Sequence, residues 1–283
     1  MAIPELAPIE DADLPEFCAF LHRHLDPRTP AGRFQDAFER RWGMDKPNHG
    51  FLIRDGGELV GGIGAIYCER SLHGRRERFC NITSWCVLED YRAQSMRLAM
   101  ALVSQEGFHF TDLTPTEVVE KSLRFLKFRP LDGSRTLIAN LPRPGGGGRV
   151  LTGPAEMEAA LPEEAACIWR DHRDIPWLRH LALGGPGGYT YVAFKARVFK
   201  GLPSAEVLGV TDAEAFLRHL GAFGRHVLWR HGMVTTRIES RFLPRRPALS
   251  HHLVGYRPKM YRSETLSDAD IDNFYSEIMA LDL

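Results

Sequence analysis

Between Gly50 and Leu88 apolar residues alternate with polar ones or run in short blocks, and the blocks break at Asp55-Gly56-Gly57 and at His73-Gly74. A period of two with glycine-bearing turns predicts strands joined as an antiparallel meander. Before Gly50 the period is different. Leu14, Phe17, Cys18 and Leu21 recur at three- and four-residue spacing within residues 8–25, which predicts an amphipathic helix. Phe34, Phe38 and Trp42 predict a second, shorter helix ending before Pro47-Asn48. From Asn81 to Leu102 an apolar strand passes through a polar turn into a helix that opens Arg92-Ala93-Gln94-Ser95. A short strand, Phe108 to Leu113, follows. Thr114-Pro115-Thr116-Glu117 then offers a capping threonine, proline at the first helical position and glutamate at the third, so a helix is expected to run from there to Phe128.

Four consecutive glycines within Pro142–Arg149 disfavour any regular element. The tract reads as a linker at 142–149 between a domain of residues 1–141 and one of residues 150–283. The second part predicts helical segments up to His180, a turn at Gly184–Gly188, a hairpin of Tyr189–Phe199 with Ala205–Val210, a helix over Asp212–Trp229 and a strand over Met233–Glu239. Both parts therefore run strand, helix, strand. Thr211-Asp212-Ala213-Glu214 reads as a capping box that puts a carboxylate at the second helix start, which opposes an anion there. Ser267-Asp268-Ala269-Asp270 ahead of Ile271, Phe274, Ile278 and Leu281 predicts a capped C-terminal amphipathic helix.

Composition narrows the function. In 283 residues Lys+Arg and Asp+Glu both number 36, so no global basic field recruits nucleic acid or an anionic membrane, and neither partner is expected. The five cysteines form no C-x-x-C pair, which argues for a reducing, cytoplasmic home and against a zinc ribbon. His22/His24 and His251/His252 lack helical ligand spacing, so no metal is expected. The N-terminus lacks a basic start followed by a long apolar run, and no later segment approaches an uncharged membrane span.

The strand-to-helix turn near Arg92 is the chemically pointed feature. The first N–H groups of a helix have no intrahelical partner and the helix dipole adds positive charge, so such a turn can hold a pyrophosphate. With Tyr91-Arg92 before an apolar helix, the segment resembles the donor-binding motif of the GNAT superfamily of acyl-CoA-dependent N-acyltransferases, Q/R-x-x-G-x-G/A. The resemblance implies an α/β fold with a mixed, mainly antiparallel sheet flanked by helices, here in two similar halves. It also implies acetyl-CoA or another acyl-CoA as co-substrate, with the backbone of Trp85, Cys86 and Val87 along the pantetheine arm and Arg92, Ala93, Gln94, Ser95, Met96 and Arg97 at the pyrophosphate. Ser95 and Arg97 replace both small residues of the motif, so Arg97 either clamps phosphate or plugs the site.

Candidates for the chemistry are Glu69, Asn81 and Ser84. Asn81 stands where some members of the family carry a glutamate base; an amide cannot be a base, and it either orients water or serves as a satisfied polar residue in the sheet. Ser84 has the same two readings. Glu69 and His73 are potential bases or solvated hairpin charges, and Asp112 is a potential base or local turn chemistry. Leu123 falls where the family's frequent tyrosine acid sits, and Cys86 reads as core. The basic run Arg70–Arg78 and Arg245-Arg246 attract an acidic acceptor or the adenosine 3′-phosphate, or read as solvated loops. The expected activity is acyl transfer to the amine of a small-molecule acceptor; the alternative is a catalytically silent binding module on the same fold.

Overall fold

The computed structural model describes residues 3–141 and 147–282. β1 (Glu5–Pro8) precedes α1 (Leu14–His24) and α2 (Ala31–Glu39). β2 (Gly50–Asp55), β3 (Glu58–Leu72) and β4 (Arg75–Val87) form the expected meander. A 3-10 helix, Glu89–Gln94, runs into α3 (Ser95–Val103), followed by β5 (His109–Asp112), α4 (Glu117–Phe125) and β6 (Arg129–Leu131). Next come β7 (Arg135–Ala139), β8 (Arg149–Leu151), α5 (Pro154–Ala160) and α6 (Glu163–His172). β9 (Arg179–Gly185), β10 (Gly188–Phe199) and β11 (Leu202–Val210) lead to α7 (Ala213–Arg218) and α8 (Leu220–His231). β12 (Thr235–Glu239), β13 (Ser250–Leu253), β14 (Lys259–Arg262) and α9 (Glu277–Ala280) complete the chain.

Two seven-stranded sheets result, ordered β1-β2-β3-β4-β5-β14-β6 and β13-β7-β12-β11-β10-β9-β8. Within them β1–β5 correspond one to one to β8–β12: each series is antiparallel until a last, parallel pair, β4 with β5 and β11 with β12. Beside that pair lies an antiparallel strand from elsewhere in the chain, β14 next to β5 and β7 next to β12. Sheet pairing, not chain order, thus defines the two compact units. One contains the chain up to Leu131 with Lys259–Ile271 and Tyr275 onward; the other contains Asp132–Pro258 with Asp272–Phe274. This differs from the expected cut into 1–141 and 150–283, because β7 and β14 each complete a sheet made from the other part of the sequence. Residues 142–146 of the expected linker lie outside the described residues.

In the first unit, β3 carries Gly62 and Gly64 beneath aromatic rings of the opening helices. A Cβ at Gly62 would come 2.4 Å from the Phe17 ring and one at Gly64 2.4 Å from the Phe38 ring, so glycine is what lets α1 and α2 seat on the sheet. The core on this sheet joins Ile63, Tyr67 and Ile82 to Leu98 and Leu102 of α3 and Leu123 of α4. Leu123, at the position of the family tyrosine, is wholly buried and offers no proton.

Three expectations shift. α4 is capped by Thr116, whose Oγ1 accepts from the Val119 N–H, rather than by Thr114. Thr114 is used elsewhere: its N–H donates to Asp112 and its hydroxyl to Glu277. The helix expected over Asp212–Trp229 is two helices parted at His219, whose ring bonds the Gly147 carbonyl at 2.6 Å. The C-terminal tail is a single 3-10 turn, Asp268–Asp270, closed by a Ser267/Asp270 capping box, and then the one-turn α9. Among the described residues no helix is long and apolar enough to cross a membrane.

In the second unit His180 stacks on Tyr191 and shares a 2.7 Å hydrogen bond with its hydroxyl, and burial lowers the imidazole to about 4. The unfolded ring binds its proton near 6.5, the folded ring only near 4. The stabilising contribution is therefore complete above about 6.5 and is lost as pH falls toward 4, roughly 3 kcal/mol in all. Urea titrations at pH 7 and pH 4.5 should show this loss in the wild type and a smaller one in His180→Phe; equal losses would exclude His180 as its source.

Candidate functional site

β4 and β5 run side by side only where Phe79–Asn81 faces His109–Thr111. β5 then stops at Asp112 while β4 continues to Val87. On its other side β4 bulges: Cys86 pairs with Gly62 and Thr83 with Gly64, so Ser84 and Trp85 together face the single residue Ile63. Ser84 takes a left-handed φ of 52°, a conformation that costs a non-glycine residue roughly 1 kcal/mol or more and recurs where a strand must re-aim its side chains. The parting strands leave a cleft of about 270 Å3. Its lining brings together Thr83, Ser84 and Trp85 of β4, Asp112 at the end of β5, Thr116 at the start of α4, and Asp26 and Arg28 after α1.

Beneath the cleft lies a buried polar cluster. Asn81 donates through Nδ2 to Thr111 Oγ1 (3.0 Å), and its Oδ1 accepts the Glu277 N–H (2.8 Å). The Glu277 carboxylate accepts from the Leu113 N–H and the Thr114 hydroxyl, each at 2.9 Å. Its second oxygen is buried with no hydrogen-bond partner. Burial raises the Glu277 carboxyl, against the opposing pull of Lys259, Thr114, Asn81 and the Leu113 amide. Asp112, 5% exposed, is raised well above the ordinary carboxylate range, first by burial and then by the Glu277 charge beside it.

The expected site residues divide. Ser84 and Trp85 line the cleft and Asn81 does not, being bonded to Thr111 and Glu277, whereas Cys86 and Val87 lie farther along β4, Val87 packed over Gly61. Cys86 is partly buried, and burial raises its thiol. Glu69 pairs with Arg76 at 2.5 Å and His73 with Asp270 at 2.7 Å, both away from the cleft lining. Asp270 is thereby held down to about 2. Arg92 is exposed and pairs with Glu89 at 2.7 Å. Ala93 and Gln94 belong to the 3-10 helix, which continues into Ser95, Met96 and Arg97, and the Ser95 N–H is spent on the Arg92 carbonyl. Arg97 donates to the Pro4 carbonyl (3.0 Å) and Gln94 Oε1 (2.8 Å), so its guanidinium is tied down as the turn stands. Glu277 escaped the sequence reading altogether, since nothing local in Ser276-Glu277-Ile278 marks it as a neighbour of Asp112.

A larger cavity of about 550 Å3 shares no lining residue with the cleft. It is lined by Asp11, Lys46 and His49 among others, but these charges are engaged: His49 bonds Asp11 (2.7 Å) and the Phe38 carbonyl (3.1 Å), and Lys46 also donates to that carbonyl. Beside β11 in the second sheet the C-terminal tail packs closely. Asn273 donates to the Leu208 carbonyl, and the Phe274 ring packs so closely on Gly209 that a Cβ there would be 2.5 Å away. Asp212 caps α7 by accepting the Ala215 N–H at 2.9 Å. Among the described residues no group of three or more His, Cys, Asp or Glu is placed to hold a metal ion.

The arrangement has counterparts among solved structures. Over 92% of its length the chain is similar to a GCN5-related N-acetyltransferase from Anabaena variabilis, with 11% identity, a TM-score of 0.60 and 72% of that chain covered. A probable N-acyltransferase from Enterococcus faecalis matches over the same 92%, with 13% identity, a TM-score of 0.58 and 72% of that chain covered. A putative acetyltransferase from Pyrococcus horikoshii matches over 97%, with 10% identity, a TM-score of 0.52 and 94% of that chain covered. No protein-family model and no curated protein matches this sequence. The chain has the fold of the GCN5-related N-acetyltransferases, mixed α/β in two similar halves.

Proposed function

We propose that this protein is an acyl-CoA-dependent N-acyltransferase that acylates the amine of a small molecule, with acetyl-CoA or another acyl-CoA as donor. The observation that carries this reading is the parting of β4 from β5 at a bulge that aims Ser84 and Trp85 into a cleft. Past Asn81 the β5-facing edge of β4 has no strand partner among the described residues, and backbone groups on such an edge can pair with the amides of a pantetheine arm much as a strand would. Cys86 has a raised thiol and so supplies no thiolate, which favours direct attack of the acceptor amine over a covalent enzyme intermediate. With all five cysteines free, three of them buried, a cytoplasmic home suits the chain.

A second reading, a binding module without turnover, is favoured by one feature: Arg97 and the Ser95 amide are already engaged at the turn expected to hold pyrophosphate. Calorimetric titration with acetyl-CoA separates the two. Saturable binding weakened about tenfold by Arg92→Ala, the loss of one charge-assisted contact, with thiol release when amines are added, supports the enzyme. Binding without turnover supports the module. If binding emerges only in Arg97→Gly, that arginine blocks the turn; absence of binding in both proteins rejects the acyl-CoA reading.

A further inference from the structure

We propose that Asp112 takes the proton from the acceptor's ammonium group and that Glu277, buried behind it, is the positioning residue that keeps Asp112 in the cleft and ready for this exchange. The inference rests on the acyl-transfer reading and supplies what that reading lacks. A bound amine arrives protonated and must lose a proton before it can attack. Asn81 has no basic atom, and Glu69 and His73 are paired at the far hairpin. Asp112 is the carboxylate at the point where β4 and β5 part, and it lines the cleft together with Ser84 and Trp85.

Its surroundings are built from three separate stretches of chain: the end of β5 with the turn after it, α9, and β4 through Asn81. β5 ends at Asp112, the Thr114 N–H fixes one carboxylate oxygen at 3.2 Å, and Glu277 is delivered by α9. Glu277 is itself locked by the Leu113 amide, the Thr114 hydroxyl and the Asn81 side chain, which receives its N–H. Two buried carboxyls side by side do not both ionise readily, so the pair titrates as a unit and holds a proton at a pH where a solvated carboxylate would not. Among the described residues, the charged groups that bear on the pair or line the same cleft are Lys259 of β14, which favours the Glu277 carboxylate, and Asp26 and Arg28.

The step balances. The Asp112 carboxylate accepts one proton from R–NH3+, leaving R–NH2. The nitrogen lone pair forms the new C–N bond at the thioester carbon and the C–S bond breaks. The departing thiolate takes the second proton lost by the nitrogen, and Asp112 returns its own proton to solvent.

The test measures thiol release from acetyl-CoA with spermidine, tryptamine and N-α-acetyl-lysine methyl ester as probe amines, alongside calorimetric binding of acetyl-CoA. Asp112→Asn should lower kcat/KM at least 100-fold, within the range of a lost general base, while acetyl-CoA binding stays within twofold of wild type. Asp112→Asn with wild-type turnover would overturn the proposal and leave the acyl-transfer reading intact. A wild type that neither binds acetyl-CoA nor releases thiol rejects both. Should Asp112→Asn fail to fold, Glu277→Gln decides. Removing the neighbouring anion lowers the affinity of Asp112 for its proton, so the acidic limb of the kcat/KM profile should move to lower pH. A merely structural Glu277 would reduce activity without moving that limb, and an unmoved limb overturns the proposal.

Discussion

A chain ending at Pro258 is expected to lose the cooperative fold of its first unit. The missing segment contains β14, which fills the place between β5 and β6, and so takes a strand from inside a seven-stranded sheet rather than from its edge. It also carries the buried side chains of Met260, Tyr261, Tyr275, Met279 and Leu281, and of Glu277. Burial of one large apolar side chain contributes about 1.5–3 kcal/mol. Five of these together rival the whole stability of an ordinary domain, about 5–15 kcal/mol. Circular dichroism and urea titration provide the check: the truncated chain should show reduced helix and strand signal and no cooperative transition for this unit. A truncated chain with the full-length midpoint and slope would contradict the assignment of β14 to this sheet.

The second large effect is expected at one side chain. Asn273 is fully buried in the second unit, where its Nδ2 donates to the Leu208 carbonyl and to Glu239 Oε1, each at 2.8 Å, and its Oδ1 accepts from Arg241 at 3.1 Å. Asn273→Leu keeps the branching of the side chain but strips a partner from a buried carbonyl, a buried carboxylate and a part-buried guanidinium. Leaving charged groups short of partners in the interior costs about 2–4 kcal/mol. At roughly 3 °C per kcal/mol for a protein of this size, Tm should fall by about 10 °C. Differential scanning calorimetry reads this directly, and a Tm within 2 °C of wild type would show that these bonds add little beyond what water supplies to the unfolded chain.

Much of the framework was legible because it is local. The turns at Gly56-Gly57 and His73-Gly74 and the spacing of Leu14, Phe17 and Leu21 each follow from neighbours in sequence, while the cap expected at Thr211 falls one residue on, at Asp212. The cap of α4 was missed by two residues because Thr114 and Thr116 look alike locally, and Thr114 is diverted only by Glu277 arriving from the far end of the chain. The same distance hid the site. Ser84 and Trp85 could be placed on β4, but the bulge that turns them inward depends on pairing with Gly62 and Gly64. The tail reads as one amphipathic helix by spacing, yet Phe274 and Leu281 serve separate units, so its apolar residues mark separate destinations rather than one helix face. β7, β13 and β14 span only four or five residues each, too short for a period of two to declare itself.

The strand exchange also sets a timetable for synthesis. β5 and β6 leave the ribosome more than a hundred residues before the strand that belongs between them. At about 5–20 residues per second, the nascent first sheet spends several seconds or more with two unpaired edges facing each other across a gap. Open edges recruit other chains, so this interval is when the growing polypeptide most needs a chaperone or dilution. Pausing of translation before β14 should therefore raise the fraction lost to inclusion bodies, whereas pausing after α9 should not.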